Sequence, residues 1–552
     1  MTQKLKIFLA QMNPIGGDID GNFNKLHTAW KRASKVKADI FVAPEMFLSG
    51  YPIDDLVLRQ DFISKIDKSI ENLAKLTSDG PAIICGVPRN EDEVLRNSAV
   101  IMDKGKILGY RDKSKLPNED EFYDNRQFVP GKLPGPILLR GIRLGIPICQ
   151  DIWDPEVCEC LKESGAEIII SINGSPFNLD KMEKRLNIVV SRAVENEIPF
   201  IYLNMVGGQD ELVFDGGSFA VNQNGGLVSQ LPMFETYDGI IEVENKSTSW
   251  ELNSKNLFKD QLSYESLYSA ILLSLRDYIS KNGFTKVVFG LSGGIDSALV
   301  AALSVDAIGF RNVNCFMLPS KFTSQNSNDD AVDLANRLNI NLENLGIEDV
   351  YNSVEKLLKK KFDKMEKDIT EENIQSRVRA LLLMAISNKF GNMLISTSNK
   401  SESAVGYSTL YGDMSGGFAP LKDVWKTDVI GLCNWRNKNV PKISKFREIN
   451  IIPENIISKP PTAELRENQK DSDSLPEYDQ LDKILALAIE DMKSEEEIIV
   501  QGYEPKIVIK VLSLLRNSEY KRFQSPPGPK LGKKAFGRDR MYPLTNKFGK
   551  SL

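Results

Sequence analysis

Residues 289–300, FGLSGGIDSALV, are the stretch on which the fold of the second half of the chain turns. An apolar strand ends in the turn Ser292-Gly293-Gly294, and a helix begins at about Asp296-Ser297. Two glycines let the backbone approach a pyrophosphate closely, while N–H groups of the turn and of the helix start point at it. No Lys-Ser/Thr pair follows the glycines, so the loop is not of the Walker A kind and disfavours γ-phosphate transfer.

Outward from this turn, strand and helix patterns alternate at doubly wound spacing. The strand KVVFG is followed by a helix through SALVAALSVDAIG, then VNCFMLPS, a helix through NDDAVDLANRL, a long helix near 371–390 and NMLISTSNKSE. Upstream, within residues 1–245, the runs KIFLAQ, ADIFVAPE, PAIICGVP, NSAVIM, RLGIPICQD, AEIIISING and PFIYLNMVG read as strands apolar on both faces, hence a sheet covered by helices. Between the halves, ENKSTSWELNSKNLFKDQ (244–261) turns polar and loses its period, so the expected domains are 1–250 and 251–552. The last stretch, FQSPPGPKLGKKAFGRDRMYP, is basic and rich in Pro and Gly, and reads as an extended arm or loop.

Composition bounds the function. At 552 residues two domains are the default, and 41% hydrophobic with 26% charged residues is a globular profile. Lys+Arg minus Asp+Glu is 70 − 75 = −5, which implies no general affinity for nucleic acid. The opening MTQKLKIFLAQMNPIGG lacks a cleavage site and a stop-transfer segment, so a cytoplasmic protein without a membrane partner is expected. Six cysteines without CxxC or zinc spacing read as reduced thiols. The single histidine, His27, lies on an apparent helix between Leu26 and Trp30, so covalent chemistry must take its general base from a carboxylate or an amine.

Cys149 stands where the apolar strand RLGIPIC meets the polar turn QDIWDP. Glu45 ends the strand ADIFVAPE in a similar position, and Lys113 lies in YRDKSKLPNEDEFYD. A thiol attacking an amide needs a base, here Glu45, and a cation for the oxyanion, here Lys113. The segments AQMNPIGGDIDGN, VAPEMFLSGYP, YRDKSKLP, GIPICQDIW and NGSPF resemble the nitrilase superfamily, specifically its glutaminase branch fused to NAD⁺ synthetases. The resemblance implies an αββα sandwich and a Glu-Lys-Cys triad on Glu45, Lys113 and Cys149. Family spacing favours Lys113 over Lys115, three residues before Leu116-Pro117. It also implies that Glu119, Ser175 and Lys181 hold glutamine. Two positions depart from the family: Glu119 where relatives carry Tyr, and Gln150 where they carry Glu.

The string Ser-Gly-Gly-x-Asp-Ser resembles the pyrophosphate-binding loop of enzymes that split ATP into AMP and pyrophosphate, with a Rossmann-like sheet. By that resemblance Gly290, Leu291, Ser292, Gly293, Gly294, Ile295, Asp296, Ser297, Thr397 and Lys426 bind ATP. Asp296 can reach a Mg²⁺ on the phosphates, and Glu402 beyond ISTSNKSE is the natural second ligand. Further segments, ENIQSRVRALLLMAISN, STSNKSESAVGYSTLYGDMSGGFAPLKDVWKT, SKPPTAELRENQKDSDSLPEYD and EYKRFQSPPGPK, look like the NAD⁺ synthetase family. On the helix near 371–390, Ile374, Val378, Leu381, Leu382 and Ala385 form an apolar stripe that leaves Asn373, Gln375 and Arg377 off that face. The family match assigns Asn373, Arg377, Glu402 and Lys521 to deamido-NAD⁺.

The function implied is ATP-dependent amidation of deamido-NAD⁺ by ammonia from glutamine through an adenylated intermediate, with Mg²⁺ as cofactor and a homo-oligomer as the expected assembly. One alternative is another AMP-forming, glutamine-dependent amidotransferase, which needs a different acceptor pocket in 373–426. An RNA-modifying ATP pyrophosphatase is the other; the acidic balance and the isolated Cys315 argue against it.

Overall fold

The computed structural model describes residues 4–118, 122–246, 249–254, 257–258, 263–467, 469–537 and 539–548. The chain divides into two compact units, Met1–Gln261 and Leu262–Leu552.

The first unit is built by period-two burial. In the strand Lys4–Gln11, Ile7 and Leu9 face one apolar cluster while Phe8 and Ala10 face another. Strand Ile168–Asn173 does the same, with Ile168, Ile170 and Ile172 on one side and Ile169 on the other. Runs that look continuously apolar are thus alternating strands with both faces covered. Seven strands form one sheet, in the order Trp250–Asn253, Tyr237–Asn245, Lys4–Gln11, Ile40–Val42, Ala82–Glu91, Val94–Asp103 and Lys106–Asp112. A second sheet has six strands, with Ile142–Gly145, Ile168–Asn173 and Phe200–Asn204 at its centre. Side chains of both sheets share the cluster between them, and the outer clusters include the helices Ile19–Lys35 and Gln60–Leu76 on one sheet and Pro155–Glu163 and Lys181–Glu195 on the other. The layers run αββα. A one-residue register slip would exchange inward and outward sets, each buried Ile or Leu counting for about 1.5–3 kcal/mol, so the register is firmly specified.

The stretch read as period-less contains the strand Trp250–Asn253, paired with Tyr237–Asn245. Trp250 and Leu252 enter the inter-sheet cluster while Glu251 and Asn253 are exposed, an alternation only four residues long and therefore hidden among polar neighbours.

In the second unit four strands pair in the order Asn341–Asn344, Val313–Met317, Val287–Gly290 and Met393–Leu394, all parallel. The chain winds outward from Val287–Gly290 in one direction, then returns to place Met393–Leu394 on its other side. The carboxyl ends of these two strands flank the topological switch point, where open α/β sheets bind ligands. Helix Ile369–Phe390 covers one face, with Val378 and Leu383 against Val288, Phe316 and Leu394. Its buried side follows the stripe read from sequence only in part: Ile374, Val378 and Leu382 pack in this cluster, whereas Ala385 is exposed. Gln375 and Ser376 are buried and Leu381 is 62% exposed, because part of the inward face borders a cavity and is polar. Helices Tyr478–Ile489 and Pro505–Asn517 close a separate helical cluster with Leu475 and Phe536. The Pro- and Gly-rich arm packs on its own unit: Leu531 is buried, and the N–H groups of Leu531 and Gly532 both donate to Asp423 Oδ2 at 2.8 Å.

A glycine joins this frame to the chemistry. A Cβ on Gly86, in strand Ala82–Glu91, would lie 2.2 Å from Met46 N and 2.5 Å from Glu45 Cα. Gly86→Ala is expected to cost about 1–3 kcal/mol by overpacking, read as a lower midpoint of urea unfolding; an unchanged midpoint would refute the contact.

Candidate active sites

Glu45 follows strand Ile40–Val42 and is fully buried. Lys113, at the end of strand Lys106–Asp112, is buried too, and its Nζ donates to Glu45 Oε1 at 2.8 Å and to Asp124 Oδ2 at 3.0 Å. Glu45 also accepts from Asn97 Nδ2 at 2.8 Å and from the Gly174 N–H at 2.7 Å, so three donors fix its carboxylate. Burial by itself would lower the affinity of Lys113 for its proton, but the charges of Asp124 and Glu45 outweigh it and keep the ammonium charged. Lys115 lies near the surface, paired with Asp154 at 3.0 Å and Glu156 at 2.7 Å. The structure thus places Lys113, not Lys115, against Glu45.

Cys149 opens the short 3-10 turn Cys149–Ile152 with φ of 45°, a left-handed conformation that a non-glycine residue adopts only under constraint. It is partly exposed, and burial together with the charge of Glu45 pushes its thiol up to about 12, against the pull of Lys113, Lys181 and Arg185. Glutamate, lysine and thiol therefore share one electrostatic environment. The resting thiol is protonated at neutral pH and needs a base before it can attack.

Of the residues expected around glutamine, Glu119 lies outside the described residues. Ser175 is buried, its Oγ accepting from Arg185 Nε at 3.0 Å and its N–H donating to Asn204 Oδ1 at 3.0 Å. Lys181 begins helix Lys181–Glu195, with Nζ 5.0 Å from the centre of the Trp153 ring. Sequence reasoning missed Asp124, which belongs to no motif of its own, and Arg185, whose buried pair with Asp215 at 2.7 Å backs the Ser175 segment.

The second site surrounds a cavity of about 300 Å³ at the switch point. Every residue from Gly290 to Ser297 except Gly293 lines it, as do Thr397, Glu402 and Lys426. Gly293 has φ of 75°, and a Cβ there would stand 2.2 Å from the Ser327 carbonyl oxygen. Its bareness serves the approach of the loop to helix Gln325–Leu338. Ser292 Oγ accepts from the Gly294 N–H at 3.2 Å and Ser297 Oγ donates to the Gly294 carbonyl at 2.9 Å, which holds the turn open toward the cavity.

Asp296 accepts from Asn399 Nδ2 at 2.8 Å and from Lys426 Nζ, which also reaches Glu402 Oε1 at 3.3 Å. Asn399 caps helix Lys400–Val405 by accepting from the Glu402 N–H at 2.9 Å, so one side chain ties the Asp296 carboxylate to the backbone of Glu402. Burial and the charge of Asp296 raise Glu402 to about 8, with Lys426 opposing. Two carboxylates meeting at one cation suit Mg²⁺, which takes one or two carboxylates and completes its shell with phosphate oxygens and water. Among the described residues no group of three or more His, Cys, Asp or Glu is placed to hold a metal. Lys426, expected at the phosphates, lines the cavity and bridges the two carboxylates.

Asn373, Arg377 and Lys521 do not line this cavity. They converge on one segment: Asn373 Oδ1 accepts from Thr409 Oγ1 at 2.8 Å, Arg377 Nε donates to the Leu410 carbonyl at 3.1 Å, and Lys521 Nζ donates to the Gly406 and Ser408 carbonyls at 2.8 Å. Arg379 was missed; it lines the cavity, and burial pulls it down to about 10.

Residues 6–250 match the carbon-nitrogen hydrolase family and residues 267–525 the NAD synthase family. A glutamine-dependent NAD(+) synthetase of Rhodobacter capsulatus is 44% identical over 548 residues, covering 99% of each chain. The chain belongs to the glutamine-dependent NAD(+) synthetase family. Another member, from Thermotoga maritima, is 40% identical over the whole of both chains. The solved structure of the Acinetobacter baumannii synthetase in complex with ADP aligns at a TM-score of 0.79, with 37% identity and 99% of both chains covered. Family membership of this breadth accounts for both clusters in one polypeptide. Among the described residues no helix is long and apolar enough to cross a membrane.

Because the Cys149 thiol is held near 12, its thiolate fraction at pH 7–9 should rise about tenfold per pH unit. Alkylation of Cys149 by iodoacetamide is expected to accelerate throughout that range; a plateau near pH 8 would mean an already ionised thiol.

Proposed function

We propose that the chain runs its reaction as two half-reactions, glutamine cleavage at Cys149 and amidation beside Asp296. As a glutamine-dependent NAD(+) synthetase, it amidates deamido-NAD⁺ with nitrogen from glutamine at the expense of ATP. The observation that carries the division of labour is the presence in one chain of a Glu-Lys cluster beside a turn-borne thiol and of a paired-carboxylate cluster at a Gly-rich strand end.

At the first centre Glu45 takes the thiol proton as Cys149 attacks the carboxamide of glutamine, and the Lys113 ammonium faces the oxyanion that develops. Glu45 then returns the proton to the departing nitrogen, which leaves as ammonia, and water deprotonated by Glu45 cleaves the remaining thioester to glutamate and the free Cys149 thiol. The α-amino acid end of glutamine falls to Glu119, Ser175 and Lys181, a carboxylate for its ammonium and a cation for its carboxylate.

At the second centre the ionised carboxylate of nicotinate is a poor electrophile, and attack on ATP makes it an acyl adenylate with release of pyrophosphate. The turn at 292–297 offers N–H groups to the phosphates, and the ADP complex of the Acinetobacter baumannii relative supports a nucleotide at this kind of site. Asp296 and Glu402 would hold Mg²⁺, which supplies charge neutralisation on the phosphates. Asn373, Arg377 and Lys521, gathered on residues 406–410, are our candidates for shaping the dinucleotide side. Ammonia then displaces AMP. Ammonium is not nucleophilic, so nitrogen is best passed on as neutral NH₃ without mixing into bulk water. The reading extends to a homo-oligomeric cytoplasmic enzyme.

Full-length Cys149→Ala is expected to lose glutamine-driven formation of NAD⁺, AMP and pyrophosphate while keeping formation driven by ammonium salt. Retained glutamine-driven synthesis would remove Cys149 from the reaction. Chelation of divalent cations by EDTA is expected to stop synthesis from either nitrogen source, with activity restored by excess Mg²⁺; synthesis undisturbed by EDTA would exclude the metal role of Asp296 and Glu402.

A further inference from the structure

We propose that Asp151 is a positioning residue of the glutamine-cleaving site: its carboxylate fastens the backbone that follows Lys113 to the turn that carries Cys149. The proposal rests on the reading of Glu45, Lys113 and Cys149 as the amide-cleaving set.

Asp151 is buried, 1% exposed, on the 3-10 turn Cys149–Ile152. Its Oδ1 accepts from the N–H groups of Ser114 at 2.9 Å and Lys115 at 2.8 Å, and its Oδ2 accepts from the Ile148 N–H at 2.9 Å. Lys113 and Cys149 belong to different layers. Lys113 ends an edge strand of the seven-stranded sheet, whereas Cys149 follows Ile148, which bridges to Ile172 of the six-stranded sheet. Between the layers most of the contact is apolar packing, which is strong but has no preferred direction. The Asp151 carboxylate supplies direction across that gap.

Other ties do not replace it. The Lys113 N–H donates to the Asn97 carbonyl and its own carbonyl accepts from the Gly131 N–H, each at 2.8 Å, and neither bond reaches the turn that carries Cys149. Lys115 crosses to Asp154 and Glu156, but at the surface, where solvent and salt screen such pairs. The recorded partners of Asp151 are all main-chain N–H groups, so it acts through Lys113 and Cys149 and not on substrate. A carboxylate is required because acceptors face donors on both sides. An amide at this place would turn its NH₂ toward an N–H and break one half of the link.

Loss of alignment without loss of the pocket lowers kcat and leaves KM alone. In full-length Asp151→Asn, glutamine-driven NAD⁺ synthesis is expected to fall about 10²-fold in kcat, with the KM for glutamine within about threefold and ammonium-driven synthesis unchanged. Asp151→Glu keeps both acceptor oxygens and is expected to recover about tenfold of that loss; it carries the test should the Asn variant fail to fold. A glutamine-driven kcat within about threefold of the parent in either folded variant, an effect confined to KM, or equal loss of both activities in both variants would overturn the proposal. Cys149→Ala that still uses glutamine would instead sink the underlying reading of the site, independently of Asp151.

Discussion

A buried ammonium cannot stay charged unless carboxylates meet it, and this constraint organises both halves of the molecule. Lys113 lies between Glu45 and Asp124, and Lys426 between Asp296 and Glu402. Removing one partner from such a cluster leaves an uncompensated charge in a poorly polarisable interior, a cost of about 3–5 kcal/mol. The clusters hold chemically distinct groups at fixed distances before any substrate arrives. In the first unit the arrangement leaves the thiol as the one neutral member beside a base and a cation. In the second it gathers two carboxylates at the mouth of a phosphate-sized turn.

The folds make those meetings possible in different ways. In the αββα unit the period-two division of side chains among three apolar clusters sets the register of each strand, and register delivers Glu45, Lys113 and Cys149 to the same end of the sandwich. Small residues let the pieces close: Gly86 lets the Glu45 backbone lie against its neighbouring strand, and a Cβ on Gly174 would strike the Tyr51 ring at 2.7 Å. In the parallel unit the topology itself opens the crevice, since strands Val287–Gly290 and Met393–Leu394 send their following loops apart. Asn399 then couples the loop after one strand to the acidic residue at the helix start after the other.

Much of this was legible in the sequence. The Ser-Gly-Gly-x-Asp-Ser turn, the strand ends carrying Glu45 and Cys149, and the α/β character of both halves follow from local patterns that need no partner. What was not legible depends on partners distant in sequence. The fold, not any local pattern, lays Asp124 on Lys113 and brings Asp215 to Arg185 in the core. The helix at 369–390 misled in part because its inward face is partly polar: Ile374, Val378 and Leu382 of the apolar stripe pack inward, but Gln375 and Ser376 are buried too while Leu381 is exposed. One signal was available and unused: Asn399 three residues before Glu402 is an N-cap pattern, which already ties the two in space.

Passage of nitrogen in series, from the first centre to the second, is the step on which the proposed function depends. It is tested most directly by supplying amide-¹⁵N glutamine with ATP and deamido-NAD⁺ in the presence of unlabelled ammonium, then comparing the ¹⁵N content of the NAD⁺ carboxamide with that of free ammonium. The account predicts a carboxamide enriched well above the bulk pool. Equal enrichment, or a carboxamide without label, would contradict it.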